Sequence, residues 1–203
     1  MNRIVLATRN QGKVRELRGL LQGTGVEVLS LDTFPDAPEV EETGGTFAEN
    51  ALLKALSAAR HTGLVSLADD SGLVVDALEG RPGVYSARFA GPDATDEANN
   101  QKLMAELQAV PPERRTGRFR SAVAIAAPDG RTRVVHGACE GVILDTPRGS
   151  NGFGYDPLFL VPAYGQTLAE LPLEEKNRIS HRGQALRLAL QELPDFLGTA
   201  SGR

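Results

Sequence analysis

Strand-like and helix-like periods alternate along the N-terminal part of this chain, and that alternation limits the fold more than any other feature. Residues 3–8 carry the apolar run Ile4-Val5-Leu6-Ala7 and read as a strand. Residues 12–21 repeat at helical spacing, with Val14, Leu17, Leu20 and Leu21 on one face. A second short strand is predicted over 26–30, then an acidic, proline-bearing loop over 32–45. Thr46 and Glu49 stand at capping-box spacing and open an Ala/Leu-rich helix to about Arg60, with Gly63 marking its end. Residues 63–68 (GLVSLA) read as a third, buried strand.

The later chain yields a strand over 73–78, an irregular loop over 79–91 and a helix over 94–107 with Leu103, Met104 and Leu107 facing inward. Residues 118–127, a Pro-Asp-Gly turn and residues 131–139 predict an antiparallel hairpin, which 141–144 extends or joins. A Gly-rich segment over 149–155 leads into the apolar run 157–161. A last helix starts near Ser180 or His181, with Leu186, Ala189, Leu190 and Leu193 inward. No repeat, low-complexity tract or interdomain linker breaks the pattern. The expected fold is α/β with a mixed, twisted sheet.

At 203 residues the chain can bury one substantial core, and 41% hydrophobic with 24% charged residues suits a soluble globular protein. A net charge of −4 argues against wholesale binding to nucleic acid or an anionic membrane, so an anionic ligand must be met by local cations. The N-terminus lacks the long apolar core and cleavage site of a signal peptide, and no stretch is long enough to cross a bilayer. A cytoplasmic protein is expected. The single cysteine, Cys139, excludes an intramolecular disulfide and reads as a small buried apolar residue rather than a nucleophile.

Chemistry concentrates in a few short stretches. The doublet Asp69-Asp70 ends the third strand and precedes Ser71-Gly72. Acids at a strand's carboxyl end lie where open α/β sheets place their ligands, although Asp-Asp-Ser-Gly is also good turn chemistry. Thr8-Arg9-Asn10-Gln11-Gly12-Lys13 joins a strand to a helix, offering backbone N–H groups, a positive helix end and a lysine to an anion; a solvated turn is the alternative. It lacks P-loop spacing. The segment Glu39-Val40-Glu41-Glu42 is either a solvated loop or the source of one acid that, with one from the doublet, would satisfy Mg²⁺. Lys54, about two turns into the next helix, either reaches the same place or faces solvent.

Phe153-Gly154-Tyr155-Asp156 supplies a stacking ring, a glycine, a phenol and an acid, which suit a planar base or a loop packing its own aromatics. Residues 174–183 gather cations and a histidine at a helix start. Positive side chains are disfavoured there, so Lys176, His181 and Arg182 point to an anionic or carbonyl-bearing ligand, with capping as the alternative for His181. The basic cluster Arg114, Arg115, Arg118 and Arg120 motivates a nucleic-acid-binding reading, which the negative net charge opposes.

Taken in order, T-x-N-x-G-K, E-E-T-G-x-T-F-x-E-N-A, A-D-D-S-G, G-x-Y-S-A-R, G-F-G-Y-D-P and S-H-R-G-x-A-L make this chain resemble the noncanonical purine nucleoside triphosphate pyrophosphatases, the inosine/xanthosine triphosphate hydrolases. The resemblance covers nearly the whole chain and implies one domain over residues 1–203: an elongated, two-lobed mixed β-sheet flanked by helices, with a central cleft. It implies Mg²⁺-dependent cleavage of a purine nucleoside triphosphate to the monophosphate and pyrophosphate, by a homodimer without nucleic-acid or membrane partners. Transferred residue by residue, Thr8, Arg9, Asn10, Gln11, Gly12 and Lys13 hold the triphosphate, with Lys54 assisting. Glu41 and Asp70 hold the metal, with Glu42 replacing Glu41 if the register is one residue out. Asp70 accepts the proton of the attacking water and Ser71 contacts substrate. Phe153, Gly154, Tyr155, Asp156, Lys176, His181 and Arg182 line the nucleoside pocket. One departure is Arg9, where the family usually carries a small residue. A related pyrophosphatase for other modified nucleotides is the alternative within enzymes.

Overall fold

The computed structural model describes residues 2–198 of the chain. Strand β1 (Asn2–Leu6), helix α1 (Gln11–Leu20) and strand β2 (Val26–Ser30) come first, followed by helix α2 (Phe47–Thr62) and strand β3 (Val65–Val75). Helix α3 (Asp96–Leu107) leads to strands β4 (Thr116–Ala126) and β5 (Thr132–Ile143). Short strands β6 (Phe159–Val161) and β7 (Gln166–Thr167) precede helices α4 (Leu173–Ile179) and α5 (His181–Leu197). The sheet runs β2-β1-β3-β4-β5-β6-β7. β1 pairs in parallel with β2 and β3, whereas β6 pairs antiparallel with β5 and β7. The fold is therefore α/β with a mixed sheet, as the periodicity predicts.

Local chemistry sets the element boundaries. The Asn10 side-chain oxygen caps α1 by accepting from the N–H groups of Gly12 (2.8 Å) and Lys13 (3.2 Å). The capping box of α2 forms: Thr46 Oγ1 accepts from Glu49 N–H, and Glu49 Oε2 accepts from Thr46 N–H, both at 3.2 Å. Ala127 N–H donates to the Arg131 carbonyl at 2.9 Å and closes the turn between β4 and β5.

Two expectations change. β3 runs unbroken through residues 69–72, where the sequence carries turn chemistry. The apolar residues on either side, Leu67, Leu73 and Val75, are fully buried, and keeping both runs extended outweighs the local turn preference. The ladder with β1 stops at Leu6↔Leu67, so Asp69 and Asp70 pass beyond the carboxyl end of β1 while remaining in strand. The basic stretch before α5 is also more than a helix start, because α4 intervenes. Lys176 sits in the last turn of α4, where the helix dipole favours a cation, and only His181 and Arg182 open α5.

The chain divides into two compact units. One takes the chain up to Asp70, Ala122–His136 and the chain from Ala185 onward; the other takes Ser71–Ser121 and Gly137–Gln184. Strand alternation builds the first core in two layers. Along β4, Val123 and Ile125 meet Leu6, Leu67, Leu17 of α1 and Leu186 of α5, while Ala122, Ala124 and Ala126 face the other way onto Ala51, Ala55, Ala58 and Ala59 of α2. Alanine on both surfaces lets α2 approach closely enough for Ser66 Oγ to donate to the Ala55 carbonyl at 2.7 Å. Leu17→Ala should cost about 2–5 kcal/mol, and Ala55→Leu about 1–3 kcal/mol by forcing the layer apart. The second core is aromatic and aliphatic, with Phe119, Tyr155 and Phe159 among Leu73, Leu103, Leu107 and Leu158.

Candidate active site

Alternation in β3 sends its two adjacent acids to opposite faces of the sheet. Asp69 shares the parity of Val65 and Leu67 and turns to α1, where its carboxylate meets Lys13 Nζ at 2.9 Å. Asp70 shares the parity of Ser66 and Ala68 and turns to α2, where Oδ2 accepts from Asn50 Nδ2 at 3.1 Å and Oδ1 lies 3.4 Å from Lys54 Nζ. Each acid thus has its own lysine, rather than forming the single carboxylate pair that adjacency in sequence suggests. Lys54 Nζ also meets Glu42 Oε1 at 2.6 Å. Burial pushes the Asp70 carboxyl above the usual carboxylate range, against the pull of Lys54 and with the Glu42 charge adding to the rise. For Lys54 burial acts to lower the pKa, but the Asp70 and Glu42 carboxylates outweigh it and hold the ammonium firmly charged.

The acid that the fold brings to Asp70 is Glu42. Glu41 is exposed, and its carbonyl accepts from Thr43 N–H at 3.0 Å. An irregular loop has no period, so nothing in the sequence distinguishes these two neighbours. Asn50 is the residue that sequence reasoning overlooked. Its signal was its place four residues before Lys54, on the same helix face.

The loop from Thr8 to Lys13 is more self-satisfied than a strand–turn–helix pattern implies. Thr8 Oγ1 accepts from Asn10 N–H at 3.1 Å, and Asn10 already occupies the amides of Gly12 and Lys13. Gln11 Nε2 donates to Asp32 at 2.5 Å, while Arg9 donates to the Leu31 carbonyl at 3.3 Å and lies 3.7 Å from Asp32. Arg9 and Gln11 therefore brace the loop against the end of β2. Lys13 is the member that reaches an acid of β3.

In the second unit a cluster forms around Phe153, a residue 47% exposed. Lys176 Nζ and the Arg182 guanidinium lie 4.9 and 5.3 Å from its centroid. Lys176 is itself paired with Asp156 at 2.6 Å, both nearly fully buried, and Asp156 also accepts from Phe153 N–H at 3.0 Å. Gly152, at φ +76°, passes so close to this pair that a β-carbon would strike the Asp156 carboxylate. Arg182 donates to Ser71 Oγ at 3.3 Å, and His181 stacks on Phe119 with centroids 4.8 Å apart and planes 11° from parallel. Tyr155 and Gly154 turn inward instead. The Tyr155 hydroxyl is buried, donates to the Ser86 carbonyl at 2.7 Å and has its pKa driven up by burial. The backbone of Gly154 bridges Asp96 (2.7 Å) and Asn100 (2.8 Å) of α3. Phe119 and Ser86 were not foreseen, since only the tertiary fold brings them to His181 and Tyr155.

Acid–lysine pairs at the end of a parallel strand ladder, together with a capped strand–loop–helix element, mark this as an α/β protein with its charged groups gathered at the strand ends. The chain belongs to the Ham1 family, whose profile matches residues 4–192. The dITP/XTP pyrophosphatase of Geobacter sulfurreducens is 60% identical over 198 residues, spanning 98% of each chain. The Geobacillus kaustophilus protein of the same name is 56% identical over 198 residues, spanning 98% of this chain and 97% of its own. Among solved structures, a HAM1 protein from Coxiella burnetii matches with TM-score 0.89 at 45% identity, covering 96% of this chain and 100% of that one.

Proposed function

We propose that this chain hydrolyses the triphosphates of deaminated purines, those of inosine and xanthosine, to the nucleoside monophosphate and pyrophosphate. Relatives above half identity, matched over nearly their whole length, carry the name dITP/XTP pyrophosphatase. The observation that carries the reading is Lys54, held 2.6 Å from Glu42 and 3.4 Å from Asp70. Phosphoanhydride hydrolysis is mostly positioning and charge neutralisation, and this cluster supplies both.

The residues present fit Mg²⁺. Among the described residues no group of three or more His, Cys, Asp or Glu side chains is arranged to hold a metal. Mg²⁺ needs only one or two carboxylates, with water and substrate phosphate completing its shell. Glu42 and Asp70, the two carboxylates that Lys54 meets, would hold it. When bound, the ion neutralises charge on the phosphate tail. Asp70 takes the proton of the attacking water. Lys54 and Lys13 stabilise charge developing on the leaving pyrophosphate, while Thr8, Asn10 and Gly12 shape the loop that receives it, braced by Arg9 and Gln11. Ser71, next to Asp70, contacts substrate.

Base recognition falls to the cluster around Phe153. Its exposed ring stacks on the purine, and His181, Arg182 and Lys176 supply donors for the 6-keto oxygen. Adenine presents an amino group there, opposing donor to donor, and such a mismatch can reject an analogue by roughly 10⁴-fold. Asp156 holds the Phe153 backbone, and Tyr155 and Gly154 anchor the same segment to Ser86 and α3. The same reading makes the protein a cytoplasmic homodimer; among the described residues no helix is long and apolar enough to cross a membrane. Pyrophosphate release measured across ITP, dITP, XTP, GTP and ATP, with and without Mg²⁺, tests the activity. Strong release from the first three and little from ATP is expected; equal rates for ITP and ATP, or none for either, refute it. Light scattering tests the dimer, which a monomer mass refutes.

A further inference from the structure

We infer that Asn50 is a positioning residue that locks the acidic loop to the proton acceptor, so that one side-chain amide fixes Glu42 and Asp70 relative to each other. The inference rests on the roles just given to those two acids. Asn50 lies in the first turns of α2 and is 0% exposed. Its two polar atoms serve different elements: Oδ1 accepts from Gly44 N–H at 2.8 Å, and Nδ2 donates to Asp70 Oδ2 at 3.1 Å. The backbone N–H demands the oxygen and the carboxylate demands the nitrogen, so the amide's orientation is dictated by its partners.

The two contacts close a ring. Gly44 lies two residues beyond Glu42, Glu42 holds Lys54, Lys54 faces Asp70, and Asp70 returns to Asn50. Asn50 and Lys54 are one helical turn apart, so a rigid segment of α2 sets the spacing between the two anchors. With Oδ2 taken by Asn50, Asp70 can rotate little, and Oδ1 is the oxygen left facing Lys54. The loop approaches the helix closely: a β-carbon on Gly44 would stand 2.7 Å from Asn50 Oδ1 and 2.7 Å from Glu49 Cβ. Any side chain at 44 would therefore push the loop, and Glu42 with it, away from α2.

Substitutions separate the two contacts. Asn50→Asp keeps the size and the acceptor for Gly44 but replaces the donor to Asp70 with a second carboxylate. Asn50→Ala loses both, and Gly44→Ala displaces the loop alone. In the full-length chain, kcat for ITP should fall about 10²-fold in Asn50→Asp with KM little changed, as expected for a displaced reacting group. Amide exchange followed by NMR should leave Gly44 protected in that variant and deprotect it in Asn50→Ala. A purely structural asparagine would lower the melting temperature without splitting kcat from KM. Parental kcat in Asn50→Asp overturns the inference, as does a Gly44 amide still protected in Asn50→Ala; Gly44→Ala gives the loop arm should Asn50→Ala not fold, and parental kcat there is equally fatal. A parent chain that releases no pyrophosphate from any purine triphosphate defeats the activity reading instead, and Gly44 exchange in Asn50→Ala then decides the coupling.

Discussion

The first unit packs β4 against α2 through alanines and buries acids with lysines beside that thin layer. The second packs large rings against one another and keeps its cations beside a ring that remains half open to solvent. Small side chains give the first unit a helix close enough for Asn50 and Lys54 to reach a strand acid. Large ones give the second a stiff support, Phe119 on Phe159, against which His181 stacks. Charge divides in the same way. Lys54 stands between the carboxylates of Glu42 and Asp70, whereas Lys176 pairs with Asp156 and, with Arg182, lies beside an aromatic ring. An acid-rich cluster suits cation and phosphate; a cation-and-ring cluster suits an aromatic ligand bearing carbonyl oxygens.

The harshest test of that division is Asp70→Asn. Removing the proposed proton acceptor while keeping its shape should lower kcat by about 10³-fold, within the range a general base contributes. Calorimetry should still find nucleotide binding, because the ring cluster is untouched; loss of binding along with turnover would erase the division of labour. A smaller effect separates the neighbouring acids. Glu42→Gln, which leaves Lys54 one carboxylate fewer, should slow turnover by about 10–100-fold, whereas exposed Glu41→Gln should leave it near parental. The reverse order would return the metal-linked role to Glu41.

Arg182→Ala probes the other cluster. Its loss removes a donor beside Phe153 and Ser71. The ITP-to-ATP ratio of kcat/KM should shrink about tenfold, the scale of one lost discriminating contact, with kcat for ITP changing less. Equal falls for every nucleotide would place Arg182 in phosphate chemistry and blur the contrast between the clusters.

Much of this arrangement is legible in the sequence where a period or a cap carries it. Thr46 and Glu49 announce α2, and the alternating run Ala122–Ala126 encodes both layers of the first core. Legibility fails where local and tertiary preferences compete. Asp69-Asp70-Ser71-Gly72 has the composition of a turn, yet buried residues on both sides hold it in strand, and only then does parity part the two acids. The distinction between Glu41 and Glu42 depends on how an aperiodic loop meets Lys54, twelve residues further along the chain. The pairing of Asp156 with Lys176 spans 20 residues and ends in a short charged helix, α4, whose apolar period is too sparse to read.

The smallest effect concerns Cys139, and it contrasts burial with and without a counter-charge. Asp70 is buried beside Lys54, so the rise that burial imposes is partly offset. Cys139 is buried in the second core with no such partner; desolvation pushes its thiol up to about 11, and the charges of Glu140 and Asp156 add to the rise. A raised thiol pKa means the neutral form dominates at every pH below it. At pH 8 the thiolate fraction should be about 0.1%, so alkylation by iodoacetamide should be slow and should quicken about tenfold per pH unit while the fold persists. Denaturant should release the ordinary thiol rate. Rapid labelling of the native chain at pH 8 would mean that this core opens readily, and that the stiffness credited to the ring-rich unit belongs instead to the alanine layer beneath α2.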